Sequence, residues 1–79
     1  MHYVYILKSE IDSELYIGCI NNLKRRLSEH NSGKNKSTHG REPLNLIYFE
    51  GHSTKQSALR REKYYKTTKG KTALKYILR

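Results

Sequence analysis

Three short runs of β-branched and aromatic residues limit the folds that this chain can adopt. The first two, HYVYIL at 2–7 and ELYIG at 14–18, flank a turn that includes IDS and predict an N-terminal hairpin. The third, LNLIYFE at 44–50, is almost continuously apolar and ends at Gly51, which predicts a well-buried strand. We expect this strand to join the hairpin in a three-stranded antiparallel sheet.

The first helix is predicted directly after the hairpin. Leu23 and Leu27 are one helical turn apart. Asn21 or Asn22 can cap the start of this helix, and NSG at 31–33 can end it.

Two further helices are predicted after the third strand. Ser53 and Gln56 form a capping box that opens a helix running towards Lys66. Residues 67–72 interrupt it, and ALKYILR at 73–79 has the spacing of a short closing helix that covers the sheet. The order ββαβαα predicts an α+β fold, an α/β sandwich in which helices flank the three-stranded antiparallel sheet.

The chain is short and strongly basic. Its 79 residues allow one domain, residues 1–79, with a small core. Lysine and arginine number 16 against 7 acidic residues, and the formal net charge of +9 favours a polyanionic partner. Nucleic acid is the first candidate for that partner, and a membrane surface is the second.

Sequence features of membrane and disulfide-bonded proteins are missing. No apolar run approaches the roughly 20 residues that span a bilayer, and MHYVYILKSE does not resemble a signal peptide. We therefore expect a cytoplasmic protein without a membrane partner. Cys19 is the single cysteine, which excludes an internal disulfide and argues against a thiolate zinc site. It is predicted to be a small buried hydrophobe.

Four polar residues of the N-terminal half could carry chemistry. Arg26 and His30 lie four residues apart and share a helix face with Asn22. That face could equally be a solvated stripe opposite the apolar side of the helix. Tyr5 and Tyr16 lie in the two hairpin strands, where tyrosine is usually a packing residue. Neither pair identifies a site by itself.

Glu62 has an unusual position for a carboxylate. Ala58, Glu62 and Tyr65 follow helical spacing, which places Glu62 on a semi-apolar face that points inward or into a cleft. The alternative is a salt bridge to Arg60, Arg61 or Lys63. Its cation would have to come from elsewhere, because the adjacent Arg61 and Lys63 do not face Glu62 on a helix.

The segment 31–43 is long for an idle loop and carries no apolar residue. Lys34, Lys36, His39 and Arg41 stand among small polar residues and predict contacts with nucleic-acid phosphates. We expect this loop to be a mobile arm that is poorly ordered without DNA.

In combination, these residues resemble the GIY-YIG nuclease family, and in particular its small stand-alone, YhbQ-like members. Tyr5 in VYIL and Tyr16 in YIG match the two tyrosine motifs, and Arg26, His30 and Glu62 follow on the expected helices. The resemblance covers nearly the whole chain. There are two departures from the family pattern: Tyr3 replaces the first glycine, and TTKGKTALKYILR lacks the asparagine that many members carry.

The resemblance implies a metal-dependent DNA endonuclease that hydrolyses phosphodiester bonds, in DNA repair or recombination. It implies Tyr5, Tyr16, Arg26 and His30 as catalytic residues and Glu62 as the ligand of one Mg²⁺ or Mn²⁺ ion. The planar guanidinium of Arg26 suits contact with phosphate oxygens. Tyr16 is the candidate proton acceptor, and Tyr5 and His30 would orient it or the attacking water. Because imidazole titrates near neutrality, His30 could also be the base.

Two functions therefore remain open: the nuclease, and a nucleic-acid-binding module of the same fold that cuts weakly or not at all. Without an attached recognition domain, specificity must come from DNA shape or ends, from the basic loop, or from a protein partner. The nuclease hypothesis predicts that the five family residues line one cleft on the sheet. It expects Glu62 on the same side of the sheet as Tyr16 and Arg26, because a carboxylate on the opposite side could share no metal–phosphate site with them and the nuclease hypothesis would fail.

Overall fold

The computed structural model describes residues 1–36 and 38–79, and over these residues the chain forms three strands and three helices. In chain order they are β1 His2–Ser9, β2 Leu15–Ile20, α1 Leu23–Asn31, β3 Leu44–His52, α2 Lys55–Tyr65 and α3 Thr68–Ile77. The predicted order ββαβαα and the α+β class are confirmed.

The sheet has the order β2-β1-β3, and both strand pairs are antiparallel. β1 is central, and its residues Val4, Tyr5, Ile6 and Leu7 are all buried. The prediction that β3 is well buried is wrong, because β3 is an edge strand whose side chains alternate between covered and open faces. Ile47 is 40% exposed and Phe49 is 52% exposed.

The helices cover opposite faces of the sheet. Successive strand residues point to opposite faces, so β1 contributes to two separate apolar clusters. On one face, Val4 and Ile6 pack with residues of α2 and α3. On the other face, Tyr5 and Leu7 pack with Leu23 and other apolar residues of α1 and β3. The closing helix α3 therefore shares its face with α2.

The capping hydrogen bonds show where α1 and α2 begin. Asn22 caps α1 by accepting the backbone N–H of Arg25 at 3.0 Å, which was one of the two predicted positions. The predicted cap at Ser53 is wrong, since Thr54 caps α2 and accepts the N–H of Ser57 at 3.1 Å. Two adjacent hydroxyl residues offer the same chemistry, and a local pattern does not choose between them.

The predicted interruption at 67–72 is also shorter than expected. Thr67 caps α3, which begins at Thr68, so two residues join α2 to α3. Gly70 permits this tight connection, because a Cβ at this position would lie 1.8 Å from the carbonyl oxygen of Tyr64. Threonine and glycine have low helix propensity, so the sequence of this segment did not predict a helix. The packing of α3 against α2 stabilises the helix there.

Among the described residues, no helix combines the length and the apolar character that crossing a bilayer requires.

Candidate active site

A cleft lies along the free edge of β2, and all five residues of the predicted site line it: Tyr5, Tyr16, Arg26, His30 and Glu62. Tyr5 comes from the central strand and Tyr16 from β2, while α1 and α2 border the two sides. The structure thus brings together residues that are up to 57 positions apart in the chain (62 − 5).

The five residues line one cleft, as predicted, but this cleft is not confined to one face of the sheet. Tyr5 and Tyr16 pack in the cluster on the α1 face, whereas Glu62 belongs to α2, which packs on the opposite face. The expectation that Glu62 shares a side with Tyr16 and Arg26 is therefore wrong. The groups still meet, because β2 is an edge strand and the cleft passes around its open edge.

Gly18 makes this crossing possible. It pairs directly with Tyr5 across the two strands. The phenol of Tyr5 lies over the backbone of Gly18, where a Cβ would come within 2.2 Å of the hydroxyl oxygen. The glycine of the YIG motif is thus required by the close approach of a ring, which carries the Tyr5 hydroxyl towards the strand edge.

We expect Gly18→Ala to displace Tyr5 and to lower the free energy of unfolding by about 1–3 kcal/mol, as overpacking of a filled site does. Urea unfolding measures this loss. Gly51→Ala on β3 is the matched control, because its Cβ would meet the flexible end of Met1, whose exposure is 71%. Equal stability of the two variants would contradict the close packing at Gly18.

His30 joins Tyr5 to the loop that follows α1. Its Nε2 lies 3.2 Å from the Tyr5 hydroxyl, and its Nδ1 lies 2.7 Å from Oγ1 of Thr38. The three residues are 3%, 5% and 0% exposed, respectively. Burial lowers the pKa of His30, and the Arg26 guanidinium lowers it further, so the imidazole is neutral at pH 7. Thr38 carries no sequence signal that distinguishes it from its polar neighbours.

The charges of Arg26 and Glu62 both act on Tyr5. Burial raises the pKa of the Tyr5 phenol; the Arg26 guanidinium opposes this rise and the Glu62 carboxylate adds to it. Arg26 on α1 and Glu62 on α2 therefore change the pKa of the same phenol in opposite directions. At neutral pH, Tyr5 is a phenol with a proton to donate.

One hydrogen-bond donor of the Arg26 guanidinium has no acceptor among the described residues. Its Nη1 lies 3.4 Å from Oε1 of Glu29 on the same helix. Its Nε is buried and has no hydrogen-bond partner among the described residues. A buried donor without an acceptor is costly, and an anion entering the cleft would supply one.

Glu62 is paired with a cation that the sequence analysis did not assign to it. Lys66 Nζ, one helical turn further along, lies 3.0 Å from Oε2 of Glu62. Lys66 and Lys71 both line the cleft. The four-residue spacing of Glu62 and Lys66 is visible in the sequence, but the position of Lys71 depends on how α3 packs.

Comparison with known proteins identifies the family. The GIY-YIG catalytic domain matches residues 1–76. The chain belongs to the GIY-YIG family. Its relatives are small proteins of the stand-alone, YhbQ-like type, so the resemblance found in the sequence is confirmed. The GIY-YIG domain is a nuclease-type fold.

Curated relatives match along most of the chain. A UPF0213 protein of Clostridium perfringens is 49% identical over 84% of this chain and 71% of its own length. Another, of Staphylococcus haemolyticus, is 44% identical over 96% and 93%. The solution NMR structure of a UPF0213 protein from Bacillus halodurans is 35% identical, with a TM-score of 0.60, and the match covers 96% of this chain and 83% of that one.

The second tyrosine of the GIY-YIG signature is more open than the first. The Tyr16 hydroxyl donates to Oδ2 of Asp12 over 3.4 Å in an exposed contact. Cys19, from the same strand, also lines the cleft and is only partly covered. The prediction that Cys19 is a buried hydrophobe is therefore wrong in degree, although burial does raise the pKa of its thiol.

Hydrogen bonds and a salt bridge attach the basic loop, residues 31–43, to the rest of this GIY-YIG chain. The Asn31 side chain bridges its two ends, accepting from the N–H of Leu44 at 2.7 Å and donating to its carbonyl at 3.0 Å. Arg41 pairs with Asp12 at 2.8 Å, and the Ser9 hydroxyl donates to the carbonyl of Arg41 at 2.6 Å. Arg41 is thus engaged with the hairpin turn.

The other cationic residues of the loop take no part in these contacts. Lys34, Lys36 and His39 are exposed, and His39 Nδ1 lies 3.2 Å from the carbonyl oxygen of Gly33. Residue 37 of the loop lies outside the described residues. The ordering of this loop by DNA stays a prediction.

The cleft fits a metal ion of one particular kind. Within the described part of the chain, no group of three or more histidine, cysteine or carboxylate residues could enclose a metal. Glu62 is the one carboxylate among the described residues that line the cleft. Mg²⁺ often binds through one or two carboxylates and completes its shell with water and substrate phosphate, so this donor set suits Mg²⁺ and not zinc.

Proposed function

We propose that this protein is a metal-dependent endonuclease that hydrolyses phosphodiester bonds in DNA. The observation that supports it is the convergence of Tyr5, Tyr16, Arg26, His30 and Glu62 in one cleft of a chain with net charge +9. We further propose that it acts in the cytoplasm, in DNA repair or recombination, and that DNA shape or ends, the basic loop or a protein partner provides its specificity.

Arg26 would bind the scissile phosphate. Its guanidinium lines the cleft and keeps a buried Nε donor without a partner. Negative charge increases on the phosphate oxygens during hydrolysis, and a positioned guanidinium stabilises that charge. The contact to Glu29 at 3.4 Å, one helical turn away, orients the head group.

Tyr16 and His30 would differ in how they handle the proton of the attacking water. His30 lines the cleft but is only 3% exposed, and its Nε2 faces the hydroxyl of Tyr5 while its Nδ1 faces Thr38. It would therefore accept a proton only by way of Tyr5. Tyr16 has an exposed hydroxyl and would contact the water directly. Tyr5 would orient the water between these groups.

Glu62 would hold one Mg²⁺ or Mn²⁺ ion, with the DNA phosphate completing the coordination. When bound, such an ion supplies Lewis-acid stabilisation of the phosphate and of the leaving oxygen. Lys66, released from its contact with Glu62, would then face the DNA backbone. This follows because Lys66 and Lys71 both line the cleft.

The Glu62–Lys66 pair also favours the second candidate, a nucleic-acid-binding module that cuts weakly or not at all. A carboxylate already paired with an ammonium at 3.0 Å is a weaker metal ligand than a free one. In this alternative the same cleft binds the phosphate backbone through Arg26, Lys66 and Lys71 without cleaving it.

The deciding experiment incubates the purified protein with linear, nicked and branched DNA, with Mg²⁺ or Mn²⁺ or with a chelator. The nuclease predicts products that appear only with the metal ion. Binding to these substrates without cleavage under any condition would instead support the binding module.

We expect the loop lysines to contribute to DNA affinity without sequence preference. Replacing both Lys34 and Lys36 with glutamine should weaken binding to all sequences alike and reduce the salt dependence of log affinity by up to about one unit of slope per lost phosphate contact. Lys75→Gln with Arg79→Gln at the end of α3 removes the same charge as a control. Identical behaviour of the two double variants would exclude a specific role for the loop.

A further inference from the structure

Thr38 has an environment unlike that of the loop around it. Its side chain is fully buried, whereas Lys36, His39 and Gly40 nearby are exposed. Its backbone N–H donates to the carbonyl of Asn35 at 3.3 Å, and its carbonyl accepts the N–H of Arg41 at 2.9 Å. Thr38 thus stands where two turns meet and directs its hydroxyl inward to His30.

The chemistry of the three groups gives the hydrogen bonds a direction. A phenol is a stronger acid than an aliphatic alcohol, and its oxygen is a poorer acceptor because its lone pair is delocalised into the ring. A neutral imidazole has one donor and one acceptor nitrogen. The favoured arrangement has Tyr5 donating to Nε2 of His30, and Nδ1–H of His30 donating to Oγ1 of Thr38.

We propose that Thr38 is a positioning residue, which accepts the Nδ1 proton of His30 and so keeps Nε2 as the acceptor that faces Tyr5. This inference deepens the proposed function and rests on it for its catalytic consequence. The raised pKa of Tyr5 and the lowered pKa of His30 agree with a phenol donating to a neutral imidazole.

The same contact fastens the basic loop to the cleft. Thr38 lies between Lys36 and Arg41 in the chain, and its hydroxyl is 2.7 Å from an imidazole that reaches Tyr5. A phosphate bound by the loop and the proton position on His30 are thereby linked through one side chain. Loss of the hydroxyl should disturb the imidazole and leave the charge of the loop unchanged.

The tautomer of His30 tests the proposal directly and does not require any nuclease activity. In the unsubstituted protein, ¹⁵N NMR of the imidazole rings should show a protonated Nδ1 and an unprotonated Nε2 for His30, assigned with His30→Gln. Thr38→Val, which keeps the shape and removes the hydroxyl, should give a mixture of tautomers. Thr38→Ser should restore the single tautomer. Thr72→Val on α3 is the matched control and should leave His30 unchanged.

A protonated Nε2 in the unsubstituted protein would overturn the proposal, as would an unchanged tautomer in folded Thr38→Val. Should Thr38→Val fail to fold, the unsubstituted protein and Thr38→Ser still decide the matter.

Cleavage kinetics form the second arm. Removing a group that orients an acid–base residue lowers kcat, so Thr38→Val should lose at least about tenfold in kcat with KM for DNA changed less than about twofold. Thr38→Ser should recover most of kcat. A rise in KM with unchanged kcat would mean that Thr38 serves the loop alone and would overturn the positioning role. If the unsubstituted protein cuts no DNA, the proposed function fails, and the tautomer measurement still determines what Thr38 does.

Discussion

Glu62→Ala is expected to lower DNA cleavage by at least about 10²-fold, the scale seen when one electrostatic group of an active site is lost. Glu62 is the one carboxylate among the described residues lining the cleft, so its removal takes away the proposed metal ligand. DNA affinity should stay the same or rise slightly, because a negative charge is removed from a surface that meets phosphates. Cleavage rate and DNA affinity are measured separately on the same preparation.

Folding does not obscure this test. The Glu62 side chain is 20% exposed, but its partner Lys66 is 55% exposed, and a pair with one solvated partner contributes about 1 kcal/mol. A melting curve should therefore barely change. Glu10→Ala, at the hairpin turn, is the control for loss of a carboxylate outside the cleft and should cut DNA normally.

Arg26→Ala provides the contrast. It should lower cleavage heavily and DNA affinity somewhat, because one phosphate contact is lost in the ground state as well. A folded Glu62→Ala variant that cuts as fast as the unsubstituted protein would refute the metal-ligand role. If neither protein cuts any substrate, the binding-module function takes precedence.

Glu50→Gln is expected to lower the free energy of unfolding by about 1.5–3 kcal/mol, the range for hydrogen bonds to a charged group, because Arg61 is 39% exposed and would be left partly solvated. The Glu50 carboxylate accepts hydrogen bonds from Tyr48 at 2.8 Å, from Arg61 at 3.1 Å and from Tyr65. His52 Nε2 lies 3.1 Å from Oε1 of Glu50, the oxygen that also accepts from Arg61. These contacts connect β3 to α2, and the side chain is only 14% exposed.

The same carboxylate should make stability depend on pH. Burial would raise the pKa of Glu50, but the hydrogen bonds from Tyr65, Arg61, Tyr48 and His52 hold it at about 2, compared with 4.5 for a free side chain. Because the folded pKa lies below the unfolded one, this stability is present above the unfolded pKa and is lost as the pH falls from about 4.5 towards 2. The shift corresponds to roughly 3 kcal/mol.

Urea unfolding between pH 7 and pH 2 measures this loss. Stability of the unsubstituted protein should fall steeply across the acidic range, and Glu50→Gln should lack that part of the fall. Glu14→Gln, an exposed carboxylate on the hairpin, is the control and should keep it. An acid profile of Glu50→Gln that parallels the unsubstituted protein would contradict the role of this carboxylate.

Local sequence was sufficient for the elements and their order. Alternating or helical spacing of apolar residues depends on neighbours in the chain, and it predicted the hairpin and α1. The site residues Tyr5, Tyr16 and Arg26 came instead from the resemblance to the family motif. The boundaries were less accurate, since Ser53 and Thr54 are equivalent caps by chemistry and the start of α3 depends on its contact with Tyr64.

Three features of the site were decided by the tertiary structure alone. An apolar run does not state which strands flank it, so the exposed edge position of β3 could not be predicted from 44–50. The position of the cleft depends on β2 being the other edge, which lets Glu62 on one face meet Arg26 from the other. The burial of Thr38 depends on a loop folding back onto His30.

The sequence by itself was enough to predict the order ββαβαα, the strongly basic charge and, through its motifs, the resemblance to the GIY-YIG family. Composition and periodicity depend only on the chain and its near neighbours, and they predict the charge and the elements. The family and its site residues follow from the motif resemblance. The tertiary structure decided that the five residues line one cleft around a strand edge, and that Thr38 is buried against His30. Those facts arise from contacts between residues far apart in the chain, which no local pattern records.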